Sequence, residues 1–103
     1  MKNLESVEQF NELKQSSTVV FLFTADWCPD CHFIDPFMPE IEQTFNNLTF
    51  ISVNRDQFID ICAENEIYGI PSFLAYKDGV EVGRFVSKER KTKLEIEEFL
   101  NRI

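Results

Sequence analysis

The feature that most constrains this chain is a pair of cysteines at the junction of a predicted strand and a predicted helix. The short, aromatic-rich run at residues 21–24 predicts a buried strand. Pro29 suits the first position of a helix, where no backbone N–H is needed. Cys28 and Cys31 therefore fall in the first helical turn, where residues three apart are close enough to bond. The apolar residues that continue at helical spacing are Phe33, Ile34, Phe37, Met38, Ile41 and Phe45.

This location favours thiol chemistry. The nucleophile in disulfide exchange is a thiolate, and a helix start stabilises it through N–H donors and the positive end of the helix dipole. We predict that Cys28, at the exposed end, attacks the substrate. Cys31 lies one turn further in and is predicted to resolve the mixed disulfide.

A CxxC pair can also be half of a zinc site. Zinc would need two further ligands, and the remaining candidates are Cys62 and His32. His32 directly follows Cys31, so the two are poorly placed to bind one ion from a helix. We therefore expect redox chemistry and no metal, and we expect Cys62 to be a small buried residue.

The composition limits the classes of protein and of partner that remain possible. The 103 residues predict one domain, residues 1–103, and 11 phenylalanines among 44% apolar residues argue against disorder. A net charge of −8 argues against nucleic acid and anionic membranes as partners. Residues 1–5 contain no apolar signal core, and no stretch approaches the length of a membrane span. We therefore expect a cytoplasmic protein, in a compartment where persistent structural disulfides are rare.

Basic residues are concentrated late in the chain. The cluster predicts a solvated face of a helix, and a docking patch for an acidic partner is the alternative. Its members are Arg84, Lys88, Arg90, Lys91 and Lys93.

The predicted order of elements is αβαβαββα, an α/β arrangement. Strand–helix–strand units imply parallel pairing and a hairpin adds antiparallel strands, which predicts a central mixed β-sheet of about four strands flanked by about four helices. The predicted strands are Val19–Thr24, 49–53, 73–76 and 80–86; a turn at 77–79 joins the last two, and a bulge is expected at Gly83. The first predicted helix is capped by Ser6 and ends at Lys14, and the second covers residues 29–45 and is bent at Pro36.

Two further helices are predicted from their caps. One is capped by Asp56 and ends near Asn65, with Ile59 on its apolar face. The last is capped by Ser87, and its inward residues are Leu94, Ile96, Phe99 and Leu100.

Nearly the whole chain resembles the thioredoxin family. The matching residues are Ala25-Asp26-Trp27-Cys28 with Cys31, Pro36, Gly69-Ile70-Pro71 and Lys77-Asp78-Gly79. The resemblance implies the thioredoxin fold and thiol–disulfide exchange with protein substrates. It also implies a redox-active disulfide with no other cofactor, and electrons from a thioredoxin reductase or a low-molecular-weight thiol.

The resemblance further implies the surroundings of the sulfurs. It implies a cis peptide at Ile70–Pro71 packed against them, a substrate groove formed by Ile70 and Pro71, and pairing of the Ile70 backbone with the substrate. Trp27 is expected to be an exposed apolar cover of the site, and ordinary core packing is the alternative for it.

The chain departs from the family pattern in and around the motif. The residues between the cysteines are Pro29-Asp30 instead of Gly-Pro. The resulting string WCPDC marks a group of small thioredoxin-related proteins, whereas the rest of the chain resembles a bacterial thioredoxin-like protein. Leu22 occupies the position of the family's buried Asp, and Ser52 that of the Lys paired with it. Losing both is physically consistent, because one buried charge without its partner is costly. Ser87 replaces a glycine of the groove.

These departures leave a proton acceptor to be found. In the family the buried Asp is assigned to deprotonating the resolving thiol, so Asp30, Asp26, His32 or water must substitute here. Asp30 also lies beside the attacking sulfur. Its carboxylate opposes the thiolate, so we expect it to raise the pKa of Cys28.

The sequence thus predicts a thiol–disulfide oxidoreductase that reduces protein disulfides through a relay between Cys28 and Cys31. One alternative is a binding module that keeps the fold but turns over little, using the groove near Trp27, Ile70 and Pro71. Another is a narrow reductase of low-molecular-weight mixed disulfides.

Overall fold

A mixed five-stranded sheet forms the centre of the protein, whose computed structural model describes residues 1–103. The strands lie in the order β1-β3-β2-β4-β5. Their bounds are β1 Lys2–Asn3, β2 Val19–Thr24, β3 Thr49–Asn54, β4 Ser72–Lys77 and β5 Val80–Phe85. The helices are α1 Val7–Lys14, α2 Pro29–Ile34, α3 Met38–Thr44, α4 Ile59–Glu64 and α5 Lys93–Asn101.

The central strand β2 pairs on both of its edges. It runs parallel to β3 and antiparallel to β4, as the predicted mixed sheet requires. The sheet has one strand more than the expected four, because β1 adds two residues beside β3. Two residues carry no alternating pattern, so this strand leaves no sequence signal.

Alternate side chains of β2 enter two separate core layers. Phe21 and Phe23 pack with Phe10 of α1 and with α4, whereas Val20 and Leu22 pack with α2, α3 and α5. Helices therefore cover both faces of the sheet, which explains why the strand is apolar without interruption.

The helix after the cysteines is bent at Pro36, as predicted. A 3₁₀ turn at Asp35–Phe37 separates α2 from α3, so the five helices form four helical units. Proline interrupts the ladder because it has no N–H to donate. None of the five helices combines the length and the hydrophobicity that a membrane span requires.

The predicted cap at Asp56 is wrong. The carboxamide oxygen of Asn54 accepts hydrogen bonds from the backbone N–H groups of Asp56 and Gln57, which forms a turn, and α4 begins only at Ile59. Ile59 is exposed, contrary to its expected place on the apolar face.

The predicted start of the last helix is also wrong. Ser87 caps no helix. The N-cap of α5 is Thr92, which forms a capping box with Glu95, and residues 86–92 form a loop. Leu94 is exposed, whereas Ile96 and the later apolar residues of α5 are buried as expected. Because part of the basic cluster lies in this loop, a single solvated helix face is excluded.

The hairpin between β4 and β5 has the predicted turn. Asp78 and Gly79 have φ angles of 51° and 86°, a combination of two positive φ values that suits a tight hairpin. The bulge lies one residue from the predicted position, with Val82 as the extra residue. Gly83 is needed for another reason, because a Cβ there would press against Phe99 and Ile103.

We predict that Thr92→Ala lowers the free energy of unfolding by about 1 kcal/mol, because the first turn of α5 loses its side-chain cap. Urea unfolding measures this. Thr44→Ala is the matched control, since Thr44 lies at the end of α3 and caps no helix start; its effect should stay within about 0.5 kcal/mol. Equal losses in both variants would contradict the capping role.

Candidate active site

The two cysteines of the motif lie where the end of β2 meets the start of α2. They are joined as a disulfide, with their Cα atoms 5.2 Å apart. Cys28 is the N-cap of α2, Pro29 occupies the first turn, and the Cys28 sulfur accepts a hydrogen bond from the Cys31 N–H at 3.2 Å. The predicted junction of strand and helix is confirmed.

The expected exposure of Cys28 is not observed. Only 4% of Cys28 and 2% of Cys31 are exposed, because Ala25 and Ile70 pack against the pair. Cys28 nevertheless lines a surface cleft, and Cys31 does not. The two cysteines are thus almost equally buried, and they differ in that only Cys28 can be reached from the cleft.

This cleft has a volume of about 290 Å³. The carbonyl oxygen of Ile70 lies 4.0 Å from the Cys28 sulfur, and the Ile70–Pro71 peptide is cis, as the resemblance implied. Pro71 is fully buried, so it supports the cleft instead of lining it. The lining residues are Trp27, Cys28, Pro29, Asp30, Arg55, Tyr68, Gly69, Ile70 and Lys88.

Trp27 covers one side of the cleft and is 58% exposed, as expected for an apolar cover. Its indole N–H donates to the Asp56 carboxylate at 2.7 Å, and the Arg55 guanidinium lies 5.6 Å from the ring centre. These contacts hold a large apolar ring at the surface. Sequence reasoning missed this function of Asp56 because it interpreted the residue as a helix cap.

Asp30 is bound by a residue sixty positions away. Arg90 Nε donates to the Asp30 carboxylate at 2.9 Å, and its guanidinium lies 4.3 Å from the centre of the Phe33 ring. This cation offsets the repulsion between Asp30 and a thiolate at Cys28. The opposing effect of Asp30 expected from the sequence is therefore reduced. The only sequence signal was the late basic cluster.

His32 makes two contacts on the exposed side of α2. Its Nε2 contacts the backbone carbonyl of Asp26, and its Nδ1 lies 3.3 Å from the Asp35 carboxylate. Both partners are acceptors, and only the imidazolium has two N–H groups to donate. The bond to the Asp26 carbonyl, followed by that to Asp35, raises the pKa of His32 above its usual value.

Two of the three candidate side chains for the proton acceptor are engaged elsewhere. Asp30 is engaged by Arg90 and His32 by Asp26 and Asp35, while the exposed side chain of Asp26 makes no hydrogen bond. None of them is hydrogen-bonded to the Cys31 sulfur.

The positions of the missing buried ion pair face each other in the sheet. Leu22 of β2 and Ser52 of β3 are register partners, and Leu22 is buried in the apolar core. Both line a second cavity of about 270 Å³, whose lining also includes Asp35 and Glu42. The paired positions on β2 and β3 therefore carry no charge, and the charged groups around this cavity come from other elements.

The remaining cysteine and the acidic residues do not form a metal site. No group of three or more His, Cys, Asp or Glu side chains could hold a metal ion. Cys62 is buried in the core, as expected, and desolvation raises the pKa of its thiol.

Comparison with known proteins identifies the class. The family model described as thioredoxin matches residues 2–102. Thioredoxin of Oryctolagus cuniculus is 41% identical over 98 residues, which cover 92% of each chain. Thioredoxin-2, mitochondrial, of Schizosaccharomyces pombe is 30% identical over 89% of this chain and 72% of its own. The crystal structure of thioredoxin from Trypanosoma brucei brucei superposes with a TM-score of 0.87 at 25% identity, covering 96% and 86% of the two chains.

The chain belongs to the thioredoxin family. With its cysteine pair at bonding distance, it is a thiol–disulfide oxidoreductase whose redox centre is the CxxC disulfide. The thioredoxin fold predicted from the sequence is confirmed. Assignment to the group marked by the WCPDC string stays a prediction.

We predict that His32, the only histidine, titrates above pH 6.5 in an NMR experiment. Because the pKa is raised on folding, the stabilisation is fully present below the unfolded pKa and is lost as pH rises through the folded pKa. His32→Gln should therefore lower the free energy of unfolding more at acidic than at alkaline pH. If His32→Gln lowered the free energy of unfolding equally at all pH values, this would contradict the assigned contacts of the imidazolium.

We predict opposite effects from the two members of the Asp30–Arg90 pair on the reduced protein. Arg90→Ala leaves the carboxylate uncompensated beside Cys28 and should slow its alkylation at neutral pH about threefold, whereas Asp30→Asn should accelerate it by a similar factor. Alkylation rates over a pH series measure both. Lys77→Ala, at the opposite end of β4, is the control. If both substitutions changed the alkylation rate in the same direction, the proposed compensation of Asp30 by Arg90 would be rejected.

Proposed function

We propose that the protein reduces protein disulfides, with Cys28 as the attacking and Cys31 as the resolving residue. The observation that carries this proposal is the difference in access, since Cys28 lines the cleft and Cys31 does not. The N-cap position supports it further, because the Cys31 N–H already donates to the Cys28 sulfur and would stabilise a thiolate there.

The reaction starts from the reduced dithiol. The Cys28 thiolate attacks one sulfur of the substrate disulfide, forms a mixed disulfide and releases the first substrate thiolate, which takes up a proton. The Cys31 thiolate then attacks the Cys28 sulfur and releases the second substrate thiolate. The substrate gains two electrons and two protons, and the protein is left as the Cys28–Cys31 disulfide.

Residues around the sulfurs would hold the substrate. The Ile70 carbonyl, 4.0 Å from the Cys28 sulfur, is available to pair with an extended substrate backbone. Trp27 offers an exposed apolar surface, and Pro29, Asp30 and Asp26 shape and tune the start of α2. Pro71 supports Ile70 from the interior.

The proposal extends to partners and location. We assign protein disulfides as substrates and a thioredoxin reductase or a low-molecular-weight thiol as electron donor, with no cofactor beyond the disulfide. The net charge of −8 disfavours nucleic acid and anionic membranes as partners. We place the protein in the cytoplasm, where such pairs are kept reduced, and we take residues 1–103 as one functional domain.

A binding module with little turnover is a second candidate, favoured by one observation. No side chain is hydrogen-bonded to the Cys31 sulfur, so the second step has no assigned base within the protein. A slow second step would prolong the mixed disulfide and make the protein a binder more than a catalyst.

Insulin reduction tests the proposal, first with dithiothreitol and then with a thioredoxin reductase as donor. We predict that Cys28→Ser abolishes activity, because no other thiol lines the cleft. Cys62→Ser should retain activity, since that thiol is buried in the core. Cys31→Ser should accumulate mixed disulfides with protein substrates. Activity that survives Cys28→Ser would overturn the assignment.

The same assay separates the alternatives. Turnover of insulin with either donor supports a general protein disulfide reductase. Binding without turnover supports the binding module, and activity only on glutathione mixed disulfides supports the narrow reductase.

A further inference from the structure

We infer that the cleft beside Cys28 selects protein segments that carry an acidic side chain next to the reacting cysteine, and that Lys88 is the residue that pairs with it. This inference rests on the proposed function, since it names the substrate class of the same site.

The charges that line the cleft are not balanced. Its charged lining residues are Asp30, Arg55 and Lys88. Asp30 is bound by Arg90 at 2.9 Å, and Arg55 by Asp56 at 3.2 Å. Lys88 makes no ion pair and no side-chain hydrogen bond. The charge left without a partner in the cleft is therefore positive, although the whole chain carries −8.

The backbone on the N-terminal side of Lys88 is held in place by the residues of the cleft. The Tyr68 hydroxyl donates to the Val86 carbonyl at 3.1 Å. Gly69 packs so closely on the Ser87 carbonyl that a Cβ at this position would overlap it. The loop that carries Lys88 is thus packed against the same residues that line the cleft.

A buried lysine binds the loop on both sides of Lys88. Lys91 is only 1% exposed. Its ammonium donates to the Ser87 hydroxyl at 3.0 Å and carbonyl at 3.4 Å, and to the Glu89 carbonyl at 3.1 Å. The Phe85 ring lies 5.1 Å away. Lys91 therefore positions the backbone before and after Lys88 and leaves that side chain at the cleft.

These features define the substrate by its charge. A peptide whose disulfide reaches the Cys28 sulfur must enter this cleft, so side chains beside its cysteine come near Lys88. An aspartate or glutamate there gains an ion pair, and a lysine meets an uncompensated like charge. Asp30 does not repel the acidic peptide strongly, because Arg90 already binds its carboxylate.

We test this with three symmetric peptide disulfides that differ only beside the cysteine, which is followed by Asp, Asn or Lys. Pre-reduced protein is mixed with each peptide at low ionic strength, quenched with acid and separated by chromatography, which gives single-turnover rate constants. Each rate constant is divided by that of the same peptide with dithiothreitol, which removes the intrinsic reactivity of the peptide, and only these normalised rate constants are compared. We expect the order Asp, Asn, Lys, with about threefold between successive peptides. Raising the ionic strength to about 1 M should remove the preference.

The variants isolate Lys88. The ratio of rate constants for the Asp and Lys peptides should fall close to one in Lys88→Gln and invert in Lys88→Glu. Using this ratio cancels any change in the intrinsic reactivity of Cys28, which is common to all three peptides. Lys77→Glu makes the same charge change at the far end of β4 and should keep the original ratio.

Two outcomes would contradict the inference, namely equal rate constants for the three peptides or an unchanged ratio in Lys88→Gln. If no peptide is reduced at all, the proposed function fails instead. The two failures are thus distinguishable.

Discussion

The burial of β2 between two neighbouring strands is the constraint on which the active site depends. Hydrogen bonds to β3 on one edge and β4 on the other, with apolar layers on both faces, fix where this strand ends. The chain must then turn immediately into α2, which places Cys28 at the helix start. Strand β4 runs back beside β2, so the Ile70–Pro71 segment that precedes it meets the sulfurs. One pairing arrangement thus brings together two segments separated by forty residues.

Local patterns predicted much of this arrangement. The apolar run of β2, the helical spacing after Pro29, the bend at Pro36 and the turn at Asp78 each have a cause within a few residues, and all are confirmed. The cis peptide came only from the family resemblance, because its local prior is low. The caps at Asp56 and Ser87 were wrong for different reasons. The start of α4 at Phe58 has no side-chain cap, so no capping residue marks it, whereas Thr92 is as suitable a cap for α5 as Ser87 and lies five residues later.

The electrostatics of the site could not be predicted because they depend on distant partners. Asp30 meets Arg90 across sixty positions, and Trp27 meets Asp56 across twenty-nine. The late basic cluster was visible, yet its members have different environments. Lys91 is buried, Arg84 binds Glu81, Lys93 binds Glu40, and only Lys88 and Arg90 act at the cleft. Composition shows that charges exist, and only the fold shows which are neutralised.

The apolar register pair of Leu22 and Ser52 has a consequence for electron transfer. In a protein that keeps a carboxyl at this depth, the protonation of that carboxyl depends on the state of the sulfurs, and the two titrate together. No such partner exists on the central strand here. The dependence of the midpoint potential on proton concentration should therefore have no contribution from a carboxyl on this strand, and it should be set by the two thiols and by the titratable groups at the surface around them.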